Sequence, residues 1–269
     1  MKKIFVISIA ILFVNIVFSQ TQYFDLKTNN VKGNVKSSFH KTYKVHQDEI
    51  SQKYAIKSVY NQDGLMTSKE SYGSDTELDY KEIYTYKSGK ITSIHIENSS
   101  GKLNKKINYE YKNGVLISII KTDNKGETEH KTTYRYDKKE KLLSKTKTIP
   151  KIAYTITESY VYDANTGYIV VKAKKAHVGT SKETFEYNTE GLISKKSEYN
   201  ALSELFSTID YEYNNQGDKI SLKKHSPEGE LTYYETYTYE YDDMGNWIKK
   251  TTTKKDKKDS EETREFVYY

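Results

Sequence analysis

Six histidines and 37 carboxylates are the side chains of this 269-residue chain whose types could do chemistry. His40, His46, His95, His130, His177 and His225 would have to stand in pairs at a ligand spacing to hold a metal, and no such pair exists. Cys is absent, which excludes disulfides, thiolate ligands and a Cys nucleophile. Asp137, Asp163 and Asp242 recur at one position of a repeated motif, a pattern that suggests calcium. Lys87 and Lys112 hold the same position elsewhere, so turn formation is the better account. A Gly-rich phosphate loop, a nucleophile elbow and a His-Glu-x-x-His helix are all missing. No pair of acids is singled out for glycoside hydrolysis. The expectation is a protein that is not an enzyme, with no catalytic residue, no metal and no cofactor.

The other chemistry on offer is aromatic. There are 27 tyrosines, and Trp247 is the one tryptophan. Aromatic faces with hydroxyls can stack on sugar rings and donate hydrogen bonds to them. The densest stretch is "YYETYTYEY", Tyr233 to Tyr241, whose imperfect alternation requires some rings to face outward. Trp247 occupies a position that is mostly aliphatic in the other repeats. Trp247, Tyr239 and Tyr241 are therefore the candidate ligand-binding residues, although packing of the sheet accounts for most of the tyrosines.

The elements that carry these rings are set by a repeat. Tyr recurs at 60, 86, 111, 136, 162, 187, 213, 241 and 268, at intervals of 25 to 28 residues, with a second aromatic two residues earlier in eight of the nine copies. Aromatic-x-aromatic puts both rings on one face of a strand. The motif then runs into a turn, as in "YDDMGN" and "YNTEGL", with Asp or Asn at its start and Gly where a left-handed residue is needed. Hairpin geometry pairs the second aromatic with the residue two past Gly, namely Met66, Ile91, Leu116, Leu142, Ile169, Ile193, Lys219 or Trp247. Continuing that register, the first aromatic meets Ser93, Ser118, Ser144, Val171, Lys195, Ser221 or Lys249, so a ring often opposes Ser. Glu140 stands in the Gly position of one turn, which is expected to adopt another form.

Each repeat is thus two strands and two turns. The fold class is all-β, a long antiparallel β-meander of sixteen strands or more, built from two-strand repeats of about 25 residues. A sheet this wide should curl into a twisted open or partly closed shell with the Tyr face concave. Residues 1–19 read as a signal peptide, with a basic start and an apolar stretch too short for a stable membrane span. Residues 20–57 are expected to supply strands that cap the first edge, and 58–269 the repeat array. Lysines between Lys249 and Asp259 would guard the last edge. The net charge of +6, with both signs interspersed, gives no warrant for a nucleic-acid partner.

The unit Tyr-x-Tyr-Asp-x-x-Gly-x-Leu, best matched by "YEYDDMGNW", "FEYNTEGLI" and "YVYDANTGYI", resembles the YD (RHS) repeat of bacterial surface and toxin-delivery proteins. The signal segment ending in Ser-Gln resembles those of exported Bacteroidetes-type proteins. The resemblance covers residues 58 to 269 and implies carbohydrate binding or a shell around cargo. Fewer repeats and no toxin module after them set this chain apart from the shell-forming members. The resulting expectation is an exported binding or scaffold module in the periplasm, at the cell surface or in the medium, for carbohydrate or another cell-envelope polymer. The alternative is a protein-interaction module of a surface or toxin-related system, with an envelope protein as partner, that uses its open sheet edges or curved face.

Overall fold

The computed structural model describes residues 31–46 and 49–269, so the signal segment and residues 20–30 lie outside the described residues. The strands run β1 (Val35–His46), β2 (Glu49–Tyr60), β3 (Met66–Tyr72), β4 (Leu78–Lys87), β5 (Lys90–Asn98) and β6 (Leu103–Lys112). They continue as β7 (Val115–Asp123), β8 (Thr128–Tyr136), β9 (Leu142–Ile149), β10 (Tyr154–Tyr162), β11 (Ile169–Ala176) and β12 (Gly179–Tyr187). The last six are β13 (Ile193–Tyr199), β14 (Leu205–Tyr213), β15 (Lys219–His225), β16 (Leu231–Tyr241), β17 (Trp247–Lys254) and β18 (Lys257–Tyr268). Among the described residues the only helical element is a 3-10 turn at Pro150–Ile152.

Each strand pairs antiparallel with the next, and β1 also pairs with β18, from Val35↔Tyr268 to Lys44↔Ser260. The 18 strands therefore form an up-and-down barrel. Closure is the main departure from the expected open or partly closed shell. β1 does not cap an edge; it is a stave between β2 and β18. The lysines near Lys249 guard no edge either, because β17 and β18 are bonded on both sides.

The turns explain why the meander is so regular. At each first-type turn that ends in a lone Gly, the Asp or Asn accepts backbone hydrogens while its own N–H closes the loop. In the last one Asp242 Oδ1 accepts from Met244 and Asn246, and Gly245 N donates to Asp242 O. The second aromatic pairs as the spacing requires at all eight hairpins, from Tyr60↔Met66 to Tyr241↔Trp247. The first aromatic does not meet Ser. A β-bulge beside the second Tyr shifts the ladder by one residue, so Tyr84 faces Ile94, Tyr109 faces Ile119 and Tyr160 faces Lys172. Ser93 and Ser118 instead pair with Thr85 and Glu110 on the other face. The bulge interrupts the ladder, and a Tyr from the following hairpin donates to the carbonyl there: Tyr86 to Met66, Tyr136 to Leu116, Tyr162 to Leu142 and Tyr213 to Ile193, at 2.8–2.9 Å.

The Tyr face lines the inside. Tyr60, Tyr84, Tyr109 and Tyr237 are buried, while Thr85, Glu110, Arg135 and Glu240 between the paired rings are exposed. In "YYETYTYEY" the odd positions point inward and Tyr234 points out, its hydroxyl meeting Asp256. The position between the paired rings carries Glu110, Arg135, Glu186, Glu212 and Glu240 on the outer face, with Val59, Thr85 and Val161 in the other three hairpins. One Arg or Lys against hydrocarbon at mid-bilayer costs about 2–4 kcal/mol and an Asp or Glu less, so the charges on this face weigh against lipid contact. Among the described residues no helix is long and apolar enough to cross a membrane.

Glu140 overturns an expectation. Its turn keeps the common form, with Glu140 itself left-handed at φ 61° and Glu140 N donating to Asp137 O at 3.1 Å. Asp137 Oδ1 holds the loop by accepting from Lys139 and Lys141, both at 2.8 Å. A left-handed non-Gly residue costs about 1 kcal/mol. Glu140→Gly is therefore expected to stabilise the protein by about 1 kcal/mol, read as a rise of about 2–4 °C in a thermal melt; a fall would contradict the turn assignment.

Candidate functional site

Inward positions one layer below the tyrosines alternate in charge around the wall. Lys145, Glu158, Lys172, Glu183, Lys196, Glu198 and Lys224 form an unbroken chain of contacts of 2.6–3.7 Å from β9 to β15. Lys254–Glu235, Lys250–Glu262, Lys69–Glu82 and Lys105–Glu129 extend the pattern elsewhere. Each side chain of the β9–β15 run keeps 19–38 % of its surface exposed, so these charges border accessible space rather than a dry core. Burial alone would raise the Glu198 carboxyl, but hydrogen bonds from Lys196, Ser207 and Lys224 outweigh it and hold the pKa at about 2.

The three sequence candidates meet in one part of this wall. Trp247 opens β17 directly after the Asp242 turn and pairs with Tyr241. Tyr239 and Tyr241 stack with ring centroids 6.0 Å apart, and Tyr239 approaches Trp247 edge-on at 6.3 Å. The interval of 28 residues between Tyr213 and Tyr241 is the longest in the array, and here the hydroxyl roles slip by one tyrosine. Tyr239 donates to the Lys219 carbonyl at 2.8 Å, and Tyr241 donates to Asp218 at 2.8 Å. Both rings are thus held as wall, with their hydroxyls engaged.

β18, the next strand of the meander, lies beside Trp247, and the Arg264 guanidinium is 3.5 Å from its ring centroid; closure adds β1 on the other side of β18. His40 on β1 meets the same ring edge-on at 5.6 Å. One face of Trp247 is therefore occupied by Arg264. Burial drops the Arg264 pKa to about 10 in spite of the negative charges of Glu262 and Asp218 nearby. Glu262 is already engaged by His40 at 2.9 Å and Lys250 at 2.7 Å. Burial would raise that carboxyl, yet these two partners hold it at about 2.

Arg264 faces a cavity of about 260 Å3 on the lumen side, shared with His40, Ser58, Tyr60 and Lys69. Reading the sequence missed this residue. Its signal was there: Arg264 is one of two arginines, four residues before Tyr268, where other repeats carry Ile, Glu, Thr or Tyr. Above the cavity, Asn246 clamps the entering chain, accepting from Lys32 N at 2.6 Å and donating to Lys32 O and Tyr268 Oη at 2.9 Å. Among the described residues no group of three or more His, Asp or Glu is placed to hold a metal ion.

No family model and no curated protein matches the chain. Solved structures do. A porin-like protein from Bacteroides uniformis aligns over 88 % of this chain and 98 % of its own at 13 % identity, with a TM-score of 0.47. One from Bacteroides vulgatus aligns over 87 % and 98 % at 13 % identity, TM-score 0.36. The Photorhabdus luminescens Tc holotoxin pore aligns over 78 % of this chain but 15 % of its own, at 11 % identity and TM-score 0.31. Likeness at this level says nothing of activity.

The depressed Glu198 and Glu262 carboxyls give the barrel an acid limit. Their folded-state pKa lies below the unfolded value of 4.5, so the stability they contribute is present above pH 4.5 and is lost as pH falls toward about 2. Urea midpoints measured from pH 7 to pH 3 are expected to fall below about pH 4.5. The double variant Glu198→Gln/Glu262→Gln should be less stable at pH 7 but show a flatter decline; an unchanged slope would show that these pairs do not carry the effect.

Proposed function

We propose that this protein is an exported, non-catalytic barrel that binds a glycan or another cell-envelope polymer inside its lumen. The observation that carries the reading is the partition of the wall: a charged, Ser/Thr-rich face outside, and Tyr, Trp and paired charges around a wet interior. Aromatic faces bordered by polar groups suit sugar rings, which are themselves apolar on their faces and hydroxylated at their edges. Eighteen strands spaced ~4.8 Å apart and tilted ~40° give a wall perimeter on the order of 110 Å, in the range where barrels enclose an aqueous space. The signal-like first 19 residues support export. The competing idea of partner capture along open sheet edges loses its basis, since among the described residues β1 and β18 pair with each other.

The sole tryptophan reports on this region. The mature protein is expected to be retarded in gels containing at least one soluble polysaccharide, with a saturable change in Trp247 fluorescence on adding oligosaccharides of the same sugar. An array of neutral and acidic glycans that yields neither retardation nor a fluorescence change would overturn the reading.

A further inference from the structure

Two inward cations between β15 and β18 differ from the paired lysines around them. Arg264 stacks on Trp247, and Lys219 lies over the rings of both Tyr211 and Tyr237, at 5.6 and 5.0 Å. Among the described residues neither has a carboxylate within ion-pair distance. The nearest candidate for Arg264, Glu262, is taken by His40 and Lys250. Burial lowers the pKa of both, so each is partly stripped of water without a direct counter-charge. Such a cation gains more from an incoming anion than a solvated or paired one does, because its desolvation is already in place.

Tyr239 links the two. Its hydroxyl holds the Lys219 backbone carbonyl, and its ring abuts both Trp247 and Tyr241. The cavity at Arg264, about 260 Å3, falls just under the ~300–1,000 Å3 of sites for drug-sized ligands, which suits one sugar residue of a longer chain.

We propose that Arg264 and Lys219 form an anion-recognition track for an acidic oligosaccharide, a uronate polymer whose carboxylates meet these cations while its rings lie along the Tyr239–Tyr241 pair. The track rests on the reading of the lumen as a glycan site and names its ligand class. Trp247 is then a positioning residue: it fixes the plane of a guanidinium that lines the cavity, the planar geometry Arg suits and Lys does not.

The test is calorimetric titration, followed in parallel by Trp247 fluorescence, of the full mature chain in low-salt buffer. The probes are oligogalacturonate, oligomannuronate and a hyaluronate tetrasaccharide, with methyl-esterified oligogalacturonate and sodium sulfate as comparisons. At least one acidic oligomer is expected to bind ten-fold or more tightly than the esterified one. Arg264→Gln and Lys219→Gln should each weaken that binding at least ten-fold while keeping the wild-type circular dichroism spectrum, and Arg264→Lys should fall between. If Arg264→Gln does not fold, Lys219→Gln decides alone, and unchanged affinity in it overturns the track. Equal binding of acidic and esterified oligomers, unaffected by either variant, overturns the track and leaves the glycan reading standing. Sulfate binding as tight as the uronates' assigns a plain anion site and overturns the sugar assignment. No binding of any oligomer, acidic or esterified, overturns both.

Discussion

The ladder between β1 and β18 is the constraint on which everything else depends. It joins residues more than 200 positions apart, from Val35↔Tyr268 to Lys44↔Ser260, and it converts a meander into a wall with an inside. Without it both terminal strands would present unpaired backbone groups, the usual route to aggregation. Several contacts hold the seam together. The Asn246 side chain grips Lys32, Tyr269 N donates to Asn34 O, and the Tyr269 hydroxyl donates to Tyr60 O. His40 and Arg264 are Cα partners across this seam, so the cavity they share exists only in the closed molecule.

Closure also explains the composition. A compact domain would bury apolar side chains, but a wall of 18 strands has two faces in contact with water. Among the described residues the Tyr layer and its aliphatic partners make the buried apolar cluster, centred on Tyr60, Met66, Tyr84, Ile94, Tyr109 and Leu116. Below it the interior is written in Lys and Glu. Partly exposed pairs of this kind contribute little each, on the order of 0–1 kcal/mol. Their value lies in keeping a charged interior near neutral, against which two desolvated and unpaired cations stand out.

Much of this architecture was legible in the residues. The phased Tyr, the Asp or Asn turn starters and the Gly positions showed the two-strand repeat, a floor of sixteen strands and the pairing of every second aromatic. What was not legible has physical causes. The bulge beside each second Tyr is a backbone feature with no residue type of its own, so the partners of Tyr84, Tyr109 and Tyr160 were read one residue off. Glu140 takes the left-handed form because Asp137 and the flanking strands hold the turn whatever residue sits there. Closure depends on the summed twist of 18 strands, which no local motif records. At the candidate site, Trp247, Tyr239 and Tyr241 were found as neighbours, but their roles were not. Arg264 reaches Trp247 from β18, the next strand of the meander, and closure adds His40 of β1 to the same ring.

The most direct measurement uses the absence of Cys. Lys41 and Thr263 are Cα partners across the β1–β18 seam. Adjacent antiparallel strands hold such pairs about 4.5–5.5 Å apart, within the span of a disulfide. Under mild oxidation, Lys41→Cys/Thr263→Cys should form an intramolecular cross-link in high yield, while the protein keeps its strand-rich spectrum and melts at or above the wild-type temperature. Failure to cross-link in the folded monomer, or cross-linking only between molecules, would mean that the seam is open and that the lumen, with its site, does not exist.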